Sequence, residues 1–166
     1  MLQEPLILVP GLMCDHAVWE PLLPALAAGR HCTVVDHGHA NSLVTMAQQL
    51  LDAAPARFAL AGHSMGARVA LEVVRLAPQR VSRVALLDTG YLPRAAGAAG
   101  EEEAAKRHAL LKVAQEQGVR AMAQVWVQGM VHPARLGDAA LVERILAMFS
   151  RKSAEVFAAQ ITALLT

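Results

Sequence analysis

Four short apolar runs punctuate the N-terminal part of the chain: Leu6-Ile7-Leu8-Val9, Cys32-Thr33-Val34-Val35, Phe58-Ala59-Leu60-Ala61 and Val84-Ala85-Leu86-Leu87. Each run is continuous rather than alternating, and each is bounded by turn or polar residues. Runs of this kind suit parallel strands covered on both faces, because a strand with one wet face alternates. Between the runs the period becomes helical. Over residues 42–53, Ser42 is placed to cap, and Leu43, Met46, Ala47, Leu50 and Leu51 share one face. Residues 65–77 carry Val69, Val73, Val74 and Leu76 in their apolar set and stop at Pro78. A further helix is expected over 17–28, despite Pro21 and Pro24. Strand and helix alternating at this spacing predict an α/β fold, a parallel sheet flanked by helices.

The pattern changes after Tyr91. Residues 93–100 are Pro, Arg, Ala and Gly and read as a linker. Residues 101–166 hold no convincing strand and predict helices over about 101–117, 119–129, 138–149 and 153–165. Gly118, the pair His132-Pro133 and Gly137 punctuate them. The run Glu101-Glu102-Glu103 opens the first of these, where negative charge suits the helix dipole. The expected organisation is a sheet-and-helix unit over 1–92 and a helical segment over 93–166.

Composition narrows the functions available. The 166 residues suffice for one domain with its own core. With only 4% aromatic residues, that core must be aliphatic. Lys and Arg number 15 against 14 Asp and Glu, with no basic stripe, so a nucleic-acid partner is not indicated. Cys14 and Cys32 make neither a disulfide framework nor a zinc site. No signal peptide is evident, and no apolar run approaches the roughly 20 residues needed to span a bilayer. A reduced, cytoplasmic setting with no membrane partner is the expectation. No dinucleotide-binding glycine loop or P-loop is present, so no cofactor is implied.

The chemistry lies in Gly62-His63-Ser64-Met65-Gly66. This G-x-S-x-G directly follows an expected strand and precedes an expected helix, which is the context that makes the five letters specific. A serine at such a turn takes a strained backbone, and glycines two residues to either side relieve the crowding. The turn lifts the hydroxyl above the carboxyl end of the sheet and sets it at a helix N-terminus. Ser64 is therefore the candidate nucleophile. His63, inside the turn, reads as a supporting side chain, since a base must approach the serine from another loop.

Together with Val9-Pro10-Gly11-Leu12-Met13, the region 8–19 and the run 84–90, this motif resembles the α/β-hydrolase superfamily, in its small esterase and C–C hydrolase-like branch. The resemblance implies that the backbone N–H groups of Leu12 and Met65 hold an oxyanion. The family usually has His-Gly where this chain has Pro10-Gly11. Trp19 matches a frequent aromatic, for which packing is the expected role. Asp36-His37-Gly38-His39, running on to Ser42, resembles the turn that often follows the second strand. Its two histidines lack a third ligand at suitable spacing, so no metal site is expected.

The resemblance also implies a catalytic acid and histidine beyond the helical cap, and residues 101–166 give no strand to carry them. On this reading the chain is a truncated hydrolase core with a helical cap. Asp88, at the end of the fourth run, is a candidate acid. His108 and His132 are candidate bases, for which surface or cap packing is the expected role. Met122, Val125, Trp126, Met130, Leu146 and Phe149 are available to line an apolar pocket for a small acyl substrate. Three readings stay open: a serine hydrolase of small apolar esters, lactones or thioesters; a hydrolase-like binding or assembly module; and a fragment of a longer hydrolase. A fourth strand without an outer neighbour would be an exposed edge, giving a homodimer or a docking site for a complementary fragment.

Overall fold

The computed structural model describes residues 4–166. Four parallel strands form one sheet: β1 (Leu6–Val9), β2 (Cys32–Val34), β3 (Phe58–His63) and β4 (Val81–Leu87), in the order β2-β1-β3-β4. The register runs Leu6↔Cys32 to Leu8↔Val34, Leu6↔Ala59 to Val9↔Gly62, and Ala59↔Arg83 to His63↔Leu87. Alternate residues of β1 and β3 therefore leave on opposite faces. Ile7, Val9, Phe58 and Leu60 join one core, and Leu6, Leu8, Ala59 and Ala61 join a second one around Trp19. This two-sided burial is why the strands read as continuous apolar runs.

Between β1 and β2 the expected helix over 17–28 does not form as one piece. Asp15 caps a single 3-10 turn (His16–Val18), accepting from the Ala17 amide, and a four-residue helix α1 (Leu23–Leu26) follows. Proline lacks the amide that a continuous helix needs. Pro21 therefore falls in the break, and Pro24 falls in the first turn of α1, where that amide is dispensable. The helices α2 (Leu43–Ala53) and α3 (Met65–Leu76) lie where the period placed them, with Ser42 capping α2 through the Thr45 amide at 3.3 Å. They bury Met46, Ala47, Leu50, Val69, Ala70 and Val73 against the first core.

The remaining elements are α4 (Ala98–Gln117), α5 (Val119–Met130), α6 (Ala139–Ser150) and α7 (Ala154–Leu165). The segment read as a linker is shorter than expected, because α4 takes up residues 98–100. Residues of all four helices, among them Ala114, Met122, Phe149 and Phe157, are continuous with the sheet's first core. Trp126 packs at 5.4 Å from Phe149 and 5.6 Å from Phe157. Arg151 grips Asp15 with two hydrogen bonds of 2.7 and 2.9 Å, and Lys152 reaches Asp36 at 2.8 Å. These ties fix the turn between α6 and α7 over the loops that leave β1 and β2. Among the described residues no helix is long and apolar enough to cross a membrane.

Candidate active site

At the carboxyl end of β3 the chain turns into α3 through one residue. Ser64 sits there with φ 55° and ψ −120°, in the positive-φ region that disfavours side chains. Four bonds hold it in place: its N–H donates to Leu87 O at 2.9 Å, while its carbonyl accepts from Thr89 Oγ1 at 3.0 Å and from the Ala67 and Arg68 amides at 3.0 and 3.4 Å. The two glycines of the motif are forced by contact. A Cβ on Gly62 would stand 2.5 Å from Ala67 Cα, and one on Gly66 would enter the carbonyls of Val9 and Pro10. Such a backbone costs about 1–3 kcal/mol at a non-glycine residue. Ser64→Gly is accordingly expected to raise stability by about 1–2 kcal/mol, read as a higher urea midpoint at unchanged slope.

The loop after β1 lies across this turn. Gly11 is where it passes closest, since a Cβ there would stand 3.1 Å from both His63 Nδ1 and Ser64 Cβ. The amides of Leu12 and Met65 have no protein acceptor among the described residues, and both residues line the same cavity as Ser64. Two buried side chains hold the loop from outside. His37 bonds the Pro10 carbonyl, and Gln160 of α7 accepts from the Met13 amide at 2.8 Å. Met13 itself has φ 61°. Neither His37 nor Gln160 stood out in the sequence for this role. The visible signal was a polar residue on an otherwise apolar helix face at 160.

The cavity over Ser64 has a volume of about 640 Å³. Its apolar lining includes Leu12, Trp126, Met130, Phe157, Ile161 and Leu164, and its charged lining includes Arg68, Glu102, Lys106 and Arg107. Only two of the six expected lining residues, Trp126 and Met130, reach it. Met122, Leu146 and Phe149 are consumed by the core, and Val125 is exposed. Phe157, Ile161 and Leu164 take their place because α7, not α6, closes the cavity.

The titratable groups divide by burial. His63 lines the cavity, and burial pushes its pKa below the usual imidazole value against the opposing pull of Asp88. Asp88 also lines the cavity, with φ 48° at the end of β4. Burial, reinforced by Asp15, pushes the Cys14 thiol up to about 12, so it is an inert wall rather than a nucleophile. His108 and His132 are exposed and do not line the cavity, and His132 caps the turn Pro133–Arg135. Among the described residues no imidazole is hydrogen-bonded to Ser64 Oγ. Trp19 packs on the far face of the sheet, as expected of a core residue.

A family model described as the alpha/beta hydrolase family matches residues 6–164. The chain belongs to that family. This α/β hydrolase is 39% identical over 87 residues to a pimeloyl-[acyl-carrier protein] methyl ester esterase of Photobacterium profundum, an overlap of 48% of this chain and 34% of the relative. It is 38% identical over 104 residues to a dihydrolipoyllysine-residue acetyltransferase component of an acetoin cleaving system from Pseudomonas putida, covering 55% of this chain and 28% of that one. Among solved structures it is similar to a carboxylesterase structure from the thaumarchaeon Nitrososphaera gargenis (TM-score 0.79, 18% identity). It is also similar to the enol-lactonase of Burkholderia xenovorans (TM-score 0.78, 20% identity). Each of these two alignments covers 98% of this chain and 64% of the neighbour. The chain thus spans about a third of the length of the curated relatives it matches and under two thirds of these structural neighbours.

Proposed function

We propose that this chain carries the nucleophile half of a serine hydrolase for small apolar acyl esters, lactones or thioesters. The observation that carries the reading is Ser64, held in a strained turn at a cavity also lined by Leu12 and Met65, whose amides have no protein acceptor among the described residues. Ser64 Oγ adds to the substrate carbonyl carbon, and the negative charge that forms on the carbonyl oxygen meets the N–H groups of Leu12 and Met65. Collapse breaks the bond to the leaving oxygen or sulfur, which takes up the proton lost by Ser64 Oγ, and the acyl-serine left behind (bearing the freed hydroxyl when the substrate is a lactone) is hydrolysed by water. Fixed amide donors aimed at developing charge are worth several kcal/mol because they need not reorganise. The apolar wall of the cavity favours an aliphatic acyl group. The methyl ester esterase among the relatives and the enol-lactonase among the structural neighbours support the same class. Asp88, at the cavity with a negative field on His63, is the proposed acid that would orient a base.

A serine hydroxyl attacks slowly until a base takes its proton. In serine hydrolases stripped of a triad member, the oxyanion hole and substrate binding together leave a residual rate about 10³–10⁴ times that in water. A fluorophosphonate probe is therefore expected to modify Ser64 slowly, and added imidazole is expected to speed the modification. Intact mass and peptide mapping check both. Adducts spread over other side chains, or equal reaction by Ser64→Ala, would overturn the reading.

A further inference from the structure

We infer that Gln160 is a positioning residue for the loop that carries the Leu12 amide, doing at position 13 what a glycine would do unaided. Its effect on rate rests on the serine reading above, and its effect on shape rests on the turn alone. The loop after β1 contains a four-residue turn, Gly11–Cys14, closed by the Cys14 amide donating to Gly11 O at 3.0 Å. Leu12 and Met13 are its middle residues. Met13 has φ 61°, while Leu12 keeps a negative φ. Positive φ at the third position alone marks a type II turn, where glycine or asparagine is the usual occupant. Methionine is disfavoured there, because its Cβ crowds the carbonyl that follows. The same four residues have a less strained form. Rotating the Leu12–Met13 peptide by roughly a half-turn gives a type I turn, which returns Met13 to negative φ and keeps the bond between Cys14 and Gly11. The observed form therefore needs a hold on that peptide.

Gln160 supplies it. The side chain is 1% exposed, and its Oε1 accepts from the Met13 N–H at 2.8 Å. Rotation would break this bond and leave a buried acceptor opposite the Leu12 carbonyl, an arrangement that burial penalises. The peptides on either side have other holds: His37 bonds the Pro10 carbonyl, and the turn's own bond takes the Gly11 carbonyl and the Cys14 amide. Only the middle peptide depends on α7. Phe157, Gln160, Ile161 and Leu164 recur at the spacing of one helix face. Three of them line the Ser64 cavity and Gln160 does not. A substrate in that cavity meets its neighbours, so Gln160 acts through Met13. The consequence for chemistry follows from place. Rotation of the middle peptide changes ψ of Leu12 by about 150° and reverses a peptide dipole beside the Leu12 N–H. A donor in a turn that exchanges between two forms loses the advantage of one already fixed. Gln160 thus governs attack by Ser64 rather than binding of the acyl chain.

The test uses the full chain and three variants: Gln160→Met, Gln160→Glu, and Gln160→Met combined with Met13→Gly. Exchange of the residue-13 amide is followed by NMR. Labelling of Ser64 by an alkyl fluorophosphonate, with imidazole added as base, is followed by intact mass at several probe concentrations, which separates kinact from KI. Gln160→Met keeps the volume and removes the acceptor. It is expected to speed exchange at Met13 at least about tenfold. It is also expected to lower kinact about tenfold, less than the roughly 10²–10³ of a donor lost outright, and to leave KI within about twofold. Gln160→Glu keeps an acceptor in either protonation state and restores both. Glycine takes positive φ without strain, so the double variant recovers kinact although the loss of a fully buried side chain lowers its urea midpoint. Circular dichroism checks its folding, and Gln160→Glu decides alone if it does not fold. Unchanged Met13 exchange in Gln160→Met overturns the inference. So does unchanged kinact, or a fall that neither the carboxylate nor the glycine restores, which is the outcome of packing alone. No labelling of Ser64 in the unmutated chain sinks the serine reading instead, and Met13 exchange then decides whether Gln160 holds the turn.

Discussion

Gly66→Ala is expected to destabilise the fold by at least about 3 kcal/mol. The added methyl would enter the backbone carbonyls of Val9 and Pro10, atoms that cannot swing aside as a side chain can. Val9 is held in register with Gly62, and Pro10 is held by His37, so the strain passes into β1, β3 and the loop bearing the Leu12 amide. Gly62→Ala acts through the same turn, against Ala67 Cα and Gly66 O at 2.5 Å each. A control separates this from glycine's general effect on chain entropy. Gly129 lies inside α5 with nothing within 4 Å of its would-be Cβ, so Gly129→Ala is expected to stabilise by about 0.5–1 kcal/mol. Urea unfolding of the three variants, followed by circular dichroism at constant slope, checks both signs. A Gly66→Ala chain as stable as wild type would mean that the turn lacks the close approach on which the site depends.

What the sequence disclosed follows from which features are local. The strands, α2, α3 and the G-x-S-x-G turn depend on neighbours a few positions away, and each left its period or its glycines in the letters. The fold class and the family follow from those segments, and the match over residues 6–164 agrees. The misplaced helix over 17–28 failed where two prolines overrode an apolar pattern. The cavity lining failed for a different reason. Met122, Leu146, Phe149, Phe157 and Ile161 are all apolar residues on helices, and only the way the four helices pack, with α7 against α4, decides which of them faces Ser64. The clamp on the Met13 amide spans 147 positions, and no local pattern announces such a bond.

His37 gives the clearest pH dependence. It is 5% exposed, its one hydrogen bond goes to the Pro10 carbonyl, and its Nε2 has no partner. Burial, which penalises the imidazolium, lowers its pKa from 6.5 to about 4, with the Pro10 bond and Asp36 opposing the shift and Lys152 adding to it. Between those two values the unfolded chain binds a proton that the folded chain refuses. Stability is therefore complete above pH 6.5 and declines as the pH falls toward 4, by about 3 kcal/mol in all. His63, also lowered by burial, adds to the decline in the same direction. Asp15 and Asp36 contribute below that window. Burial raises the Asp15 pKa but is outweighed by the bonds from Arg151 and the Ala17 amide together with the charges of Arg151 and His16, and Asp36 is lowered chiefly by its bond from Lys152. His37→Asn keeps a donor for Pro10 and removes the titration. Urea midpoints at pH 7, 5.5 and 4.5 are expected to fall steeply for wild type and to flatten for the variant, with His63 supplying the slope that remains. Equal slopes in the two proteins would remove His37 from the account. A steeper wild-type slope would tie acid sensitivity to the loop that carries the Leu12 amide, because the imidazole whose protonation burial opposes is the one that bonds the Pro10 carbonyl, two residues before Leu12.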